Sequence, residues 1–173
     1  MENFSNSILT PENLPEIKPE DFNLLDKKYR TILFIRVTIF ILFMVGGFIA
    51  FMILSDEKPA TEITIIITSI IILLASYSII ITIFGFPKKG YLVREKDISF
   101  QKGLIIFKST SVPFNRIQHV EVNQGILAKM FKLSSVKIYT AGGSTSDLSI
   151  PGLPVKIAEN LKAFLSKKIS EHE

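Results

Sequence analysis

Two apolar runs dominate the pattern of the chain: TILFIRVTIFILFMVGGFIAFMIL over Thr31–Leu54 and ITIIITSIIILLASYSIIITIFGF over Ile63–Phe86. Each is long enough to cross about 30 Å of hydrocarbon, for which roughly 20 apolar residues suffice as a helix. One such run is compatible with the core helix of a soluble domain. Two in succession, joined by the short polar stretch Ser55–Glu62, predict a transmembrane helical hairpin over residues 31–86. The first run lies behind an acidic tail and exceeds the length of a secretory h-region, so it is not read as a signal peptide. Ahead of it, Pro11, Pro15 and Pro19 stand among acidic and polar residues without an apolar period. Residues 1–30 are therefore expected to form an N-terminal arm, largely disordered, with a short amphipathic turn at Phe22–Tyr29 lying at the membrane surface.

From Gly90 the period shortens to that of strands. GYLVR, DISFQ, LIIFKSTSV (Leu104–Val112) and IQHVEVNQ read as β-strands, with a turn at Gln101-Lys102-Gly103. In the last of them Val120 and Val122 alternate with His119 and Glu121, which assigns the two pairs to opposite faces. Ile126–Leu133 predicts a short helix. Val136–Thr140 and Asp147–Ile150 flank the hairpin signal AGGSTS, and Pro151-Gly152-Leu153-Pro154 is expected to break the sheet. The segment that follows carries Ile157, Ala158, Leu161, Phe164, Leu165 and Ile169 on one helical face, with Pro154 suited to its first turn. The expected fold class is thus an α+β membrane protein: a two-helix transmembrane hairpin (31–54 and 63–86), then a small antiparallel β-barrel or sandwich over residues 87–173, capped by a C-terminal helix.

Charge adds an orientation. Residues 1–86 carry 6 Lys/Arg against 9 Asp/Glu, whereas residues 87–173 carry 14 against 7. Lys27, Lys28 and Arg30 precede the first span, Lys88, Lys89 and Arg94 follow the second, and the loop between holds Asp56, Glu57 and Glu62 against Lys58. The positive-inside rule then places both termini in the cytoplasm and the chain in the cell membrane as a multi-pass protein. Arg36 lies near the cytoplasmic end of its span, where its side chain reaches the headgroups by snorkelling. Gly46-Gly47 offers close helix packing without a full GxxxG pattern.

The candidate chemistry is sparse. The chain has no cysteine, which excludes disulfides, thiolate metal sites and thiol nucleophiles together. His119 and Glu121 stand two apart on a strand, about 7 Å from each other, as neighbours and not by default as hydrogen-bond partners. His172 is in the terminal tail, and no G-x-S-x-G nucleophile motif is present. Ala141-Gly142-Gly143-Ser144 lacks a following Walker lysine and reads as a hairpin tip. The aromatic residues of the basic half, Tyr139 among them, read mostly as core and show no RNA-binding pattern. No enzyme activity, cofactor or metal is expected from so sparse a set, and no nucleic acid, because an anionic leaflet suffices to account for the basic balance.

Several separated motifs occur in a recognisable order: Pro113, Arg116-Ile117-Gln118, Gln124-Gly125, Thr140-Ala141-Gly142-Gly143 and Ile150-Pro151-Gly152-Leu153. With the two spans before them, they resemble the bacterial pleckstrin-homology-like (PH-like) membrane proteins of the YdbS type over residues 30–170. The resemblance implies a PH-like barrel and no reaction. Members of that family often carry glycine where this chain has Lys132, so the shape of that turn stays open. The resemblance also implies a membrane-anchored adaptor or scaffold. It would bind a protein partner, or assemble as a homo- or hetero-oligomer, at the cytoplasmic face of a membrane stress or peptide-defence complex. The alternative is a domain that senses anionic lipid at the inner leaflet. Lys96 and Lys102 flank the first hairpin without the basic cluster with which eukaryotic PH domains grip inositol phosphates. The residues expected to contact partner or lipid are Arg116, Gln118, His119, Lys129 and Lys132.

Overall fold

The computed structural model describes residues 17–55, 59–141 and 147–171. After a 3₁₀ turn at Pro19–Asp21, strand β1 (Asn23–Leu24) leads into helix α1 (Lys27–Leu54), and helix α2 follows (Thr61–Gly85). The remainder comprises β2 (Gly90–Val93), β3 (Asp97–Lys102), β4 (Lys108–Pro113), β5 (Ile117–Asn123), α3 (Ile126–Met130), β6 (Leu133–Thr140), β7 (Leu148–Pro154) and α4 (Val155–Ser170). Helices α1 and α2 pack side by side and are the two transmembrane helices. Phe43, Ile53, Leu54 and Leu73 point outward along them, an apolar surface that water would not tolerate and a bilayer requires. The hydroxyls of Thr68, Ser78 and Thr82 donate to the carbonyls four residues earlier, so these polar groups are satisfied within α2. A Cβ on Gly46 or Gly47 would meet nothing within 4 Å, so this pair does not bring α1 and α2 together.

The strands form two antiparallel sheets, β1-β2-β3-β4 and β5-β6-β7. Their inward residues share one core: Ile98, Phe100 and Val112 from the first sheet, and Val120, Val136, Ile138 and Ile150 from the second. Helix α4 covers it with Ala158, Leu161 and Leu165, buried as the helical period predicts, while Ile157 and Phe164 of the expected face remain exposed. This is the PH-like α+β arrangement.

Several expectations change. Residues 1–16 of the arm lie outside the described residues. From Phe22 onward the chain is ordered, not a disordered arm or a surface turn: β1 pairs with β2, and Phe22 and Leu25 are buried. The reason is apolar burial that local composition does not report, since Phe22 packs over Gly90 and Leu25 joins the core. Helix α1 starts at Lys27, capped by the Asp26 carboxylate, which accepts from the Lys28 N–H at 2.8 Å. Its first turns, with Tyr29 and Leu33, pack against the core before the helix enters the membrane.

Strand β4 begins at Lys108 and not at Leu104. Gly103, at φ +126, turns the chain so tightly that a Cβ there would fall 1.9 Å from the Ile106 carbonyl oxygen, and Ile105–Phe107 project outward. The Pro151–Pro154 stretch does not break the sheet but is the second half of β7. That strand lies at the edge, where a missing N–H costs no ladder bond. Tyr139 is half-buried and belongs to an outer face, not to the core. The expected β6–β7 hairpin is formed, with Ile138 opposite Leu148, while its tip at 142–146 lies outside the described residues.

Candidate functional site

The polar group that opens β5 is shaped by what lies beneath it. Phe114, in the 3₁₀ turn Phe114–Arg116, is buried and meets the Phe164 ring of α4 edge-on at 5.7 Å, which leaves Arg116 exposed at the turn's end. A register shift between Ile117 and His119 then puts two consecutive residues outside: Ile117 and Val120 are buried, Gln118 and His119 exposed. Beyond the shift the alternation is regular. Val120 and Val122 face the core while His119, Glu121 and Asn123 share the outer face. On β6, Val136 and Ile138 face inward, and Lys137 and Tyr139 stand opposite Glu121 and His119.

These residues form a network centred on Glu121. Tyr139 Oη donates to Glu121 Oε2 at 2.9 Å and Asn123 Nδ2 donates to the same oxygen at 3.2 Å. His119 Nε2 lies 3.3 Å from Glu121 Oε1, and the His119 and Tyr139 rings are 5.7 Å apart. The expected separation of His119 from Glu121 is thus closed by the length of the two side chains. The Tyr139 hydroxyl first and then the Asn123 amide hold the Glu121 carboxyl below its ordinary range; desolvation opposes them, and His119 lowers it less than either. The bond to Glu121 in turn raises the Tyr139 phenol.

A carboxylate stabilised in its charged form is a poor proton acceptor, so the cluster is ill-suited to general-base chemistry. It is well suited to recognition, since it presents a fixed anion, an imidazole and a phenol on a rigid sheet.

The five residues singled out in the sequence do not converge. Gln118 and His119 stand beside the Glu121 network, with Arg116 at the same end of β5. Lys129 and Lys132 lie beyond the other end, on and just after α3, roughly 20 Å of strand away. The two lysines are close to each other, the Lys132 N–H donating to the Lys129 carbonyl at 3.1 Å, and α3 sits beside α1. Asn123 and Tyr139 were not among the expected contacts. For Tyr139 a signal was present: in VKIYT, Lys137 and Tyr139 alternate with Val136 and Ile138 and so belong to the polar face.

Comparison with known proteins agrees with this architecture. The chain is 37% identical over 93 residues to the UPF0699 transmembrane protein YdbS of Bacillus subtilis (strain 168), a match covering 51% of this chain and 57% of YdbS. It is 28% identical over 79 residues to the UPF0699 transmembrane protein YdbT of the same organism, covering 45% of this chain and 16% of YdbT. The chain therefore spans little more than half of the first relative and a small part of the second. No solved structure matches it. The family and the relatives' names point to a membrane-associated, PH-like protein. The bacterial PH domain family matches residues 32–169, from the first span to the last helix, and the chain belongs to that family.

Proposed function

We propose that this protein is a membrane-anchored PH-like adaptor that binds a protein partner at the cytoplasmic face of the cell membrane, both of its termini being cytoplasmic. The observation that carries this reading is the Glu121 network on the outer face of β5 and β6, flanked by exposed Arg116 and Gln118. Directional polar groups held in place by one another lose little entropy on binding, which favours a partner with complementary donors and acceptors. The spans already fix the domain at the membrane, so this face is not needed for recruitment. The setting in a membrane stress or peptide-defence complex follows from the family resemblance.

The test is affinity capture of the full-length protein from mild detergent at raised salt. A partner retained by the parent is expected to fall away when Arg116→Ala and His119→Ala are combined, and to be weakened by Tyr139→Phe, which removes only the phenol's bond to Glu121. Equal retention by parent and variants would refute this face as the binding surface.

A further inference from the structure

We propose that the end of α2 and the β3–β4 hairpin form a clamp for an anionic phospholipid, with the hairpin tip set into the acyl region and Lys89, Lys102 and Lys108 around the lipid phosphate.

The tip is Ile105, Ile106 and Phe107, which are 71%, 81% and 67% exposed. Three consecutive apolar side chains on a hairpin tip are costly in water. Here the tip lies against a transmembrane helix. Leu104 and Ile106 line a groove of about 300 Å³ together with Ile81 and Gly85 of α2. A Cβ on Gly85 would stand 3.7 Å from that of Leu104, so the loop is in contact range of the helix. Ile81 and Gly85 fall within the last apolar turn of the second span, about 6 Å apart along the axis. The tip is therefore level with the cytoplasmic edge of the hydrocarbon, continuous with the surface that the spans already bury in lipid.

The same groove is lined by Lys89, Lys102 and Lys108. Lys102 and Lys108 are direct partners across the β3–β4 ladder. Like charges directly opposite on a sheet destabilise it unless an anion lies between them. None of the three lysines forms an ion pair among the described residues. Burial, and then repulsion from Lys102, lowers the affinity of the Lys89 amine for its proton, which places Lys89 within electrostatic reach of Lys102 although its ammonium also lies 5.8 Å from the Tyr29 ring centre. A groove with an apolar wall and three lysines in its lining, at headgroup depth, matches one ligand in chemistry and position: the phosphate and adjoining acyl chain of an anionic lipid. The site is separate from the Glu121 face and does not depend on the adaptor reading.

The chain has no tryptophan, so Phe107→Trp supplies a single reporter. The full-length protein in nanodiscs is titrated with dibrominated phosphatidylglycerol or dibrominated phosphatidylcholine. The reporter is expected to be quenched by both and to favour phosphatidylglycerol roughly five-fold, the worth of about one lysine close to an anionic surface. Adding Lys102→Gln and Lys108→Gln, both exposed positions, should leave the quenching and cut the preference to less than half, Lys89 remaining. Millimolar inorganic phosphate should leave the preference unchanged. A reporter unquenched by either lipid, equal quenching by the two in the parent, or a preference undiminished by the double substitution overturns the proposal.

Discussion

Gly152 lies so close beneath Tyr29 that a Cβ placed on it would stand 2.4 Å from Tyr29 Cγ. The contact joins β7 to the first turn of α1, and it is reinforced by the Asp26 N–H donating to the Gly152 carbonyl at 3.2 Å. Gly152 is also at φ +69, where an L side chain is strained. The transmembrane hairpin is therefore not tethered to the PH-like unit by a loose linker but packed into it. Lys89 adds to the joint by placing its ammonium 5.8 Å from the Tyr29 ring centre.

Gly152→Ala should destabilise the protein by about 2–3 kcal/mol, combining backbone strain with the steric conflict. In the Tyr29→Ala background the same substitution should cost clearly less, because only the strain remains. Thermal melts of the full-length protein in detergent, arranged as a double-mutant cycle, check this. A cost independent of Tyr29 would mean that the ring does not rest on the glycine.

Leu165 of α4 is fully buried, whereas Ile157 on the same helix is exposed. Leu165→Ala should cost about 2–5 kcal/mol and Ile157→Ala about 0.5 kcal/mol or less. Equal effects would show that α4 does not seat its stripe on the sheets.

Lys132 follows α3 at φ +56, the left-handed position at which helices commonly end in glycine. The turn thus keeps the glycine-type shape although the residue is lysine. Lys132→Gly relieves a strain of about 1–2 kcal/mol and loses part of it to the freer unfolded chain, so a net gain of about 0.5–1 kcal/mol is expected. A lowered melting temperature would show that the lysine side chain stabilises more than its backbone strains.

Glu121 titrates below its ordinary range in the folded protein, chiefly because of the Tyr139 hydroxyl. The unfolded chain therefore binds the proton more readily between the folded value and the ordinary value of about 4.3. Stability from this group is complete above the ordinary value and is lost as pH falls through the folded one. The stability difference between the parent and Glu121→Gln should be present at neutral pH and shrink on acidification through that window. In a carboxyl NMR titration, Tyr139→Phe should move the Glu121 midpoint upward. An unmoved midpoint would remove the phenol as the cause.

The proposed orientation predicts opposite labelling of two introduced cysteines, in a chain that has none of its own. In intact cells Ala60→Cys should react with an impermeant thiol reagent, and Ser149→Cys, an exposed position on β7, should not. The reverse pattern would invert the topology.

The sequence alone determined the two spans, the short strands and the final helix, because each depends on a local period of apolar residues or on uninterrupted hydropathy. Val120 and Val122 against His119 and Glu121, and the Ala158–Leu161–Leu165 stripe, are such patterns, and their faces are those expected. What only the tertiary structure decided are contacts between segments far apart in the chain. Phe22, Leu25 and Tyr29 look like part of a polar arm until β2 and β7 supply surfaces to bury them. Pro151 and Pro154 look like breakers until β7 proves to be an edge strand. Leu104–Phe107 has the composition of a strand, but Gly103 and the neighbouring α2 turn it into an outward tip. The Glu121 network likewise needs β6 to bring Tyr139 across from a position 18 residues along the chain. Periodicity records which side of an element is apolar, and it carries no information about which distant element that side will meet.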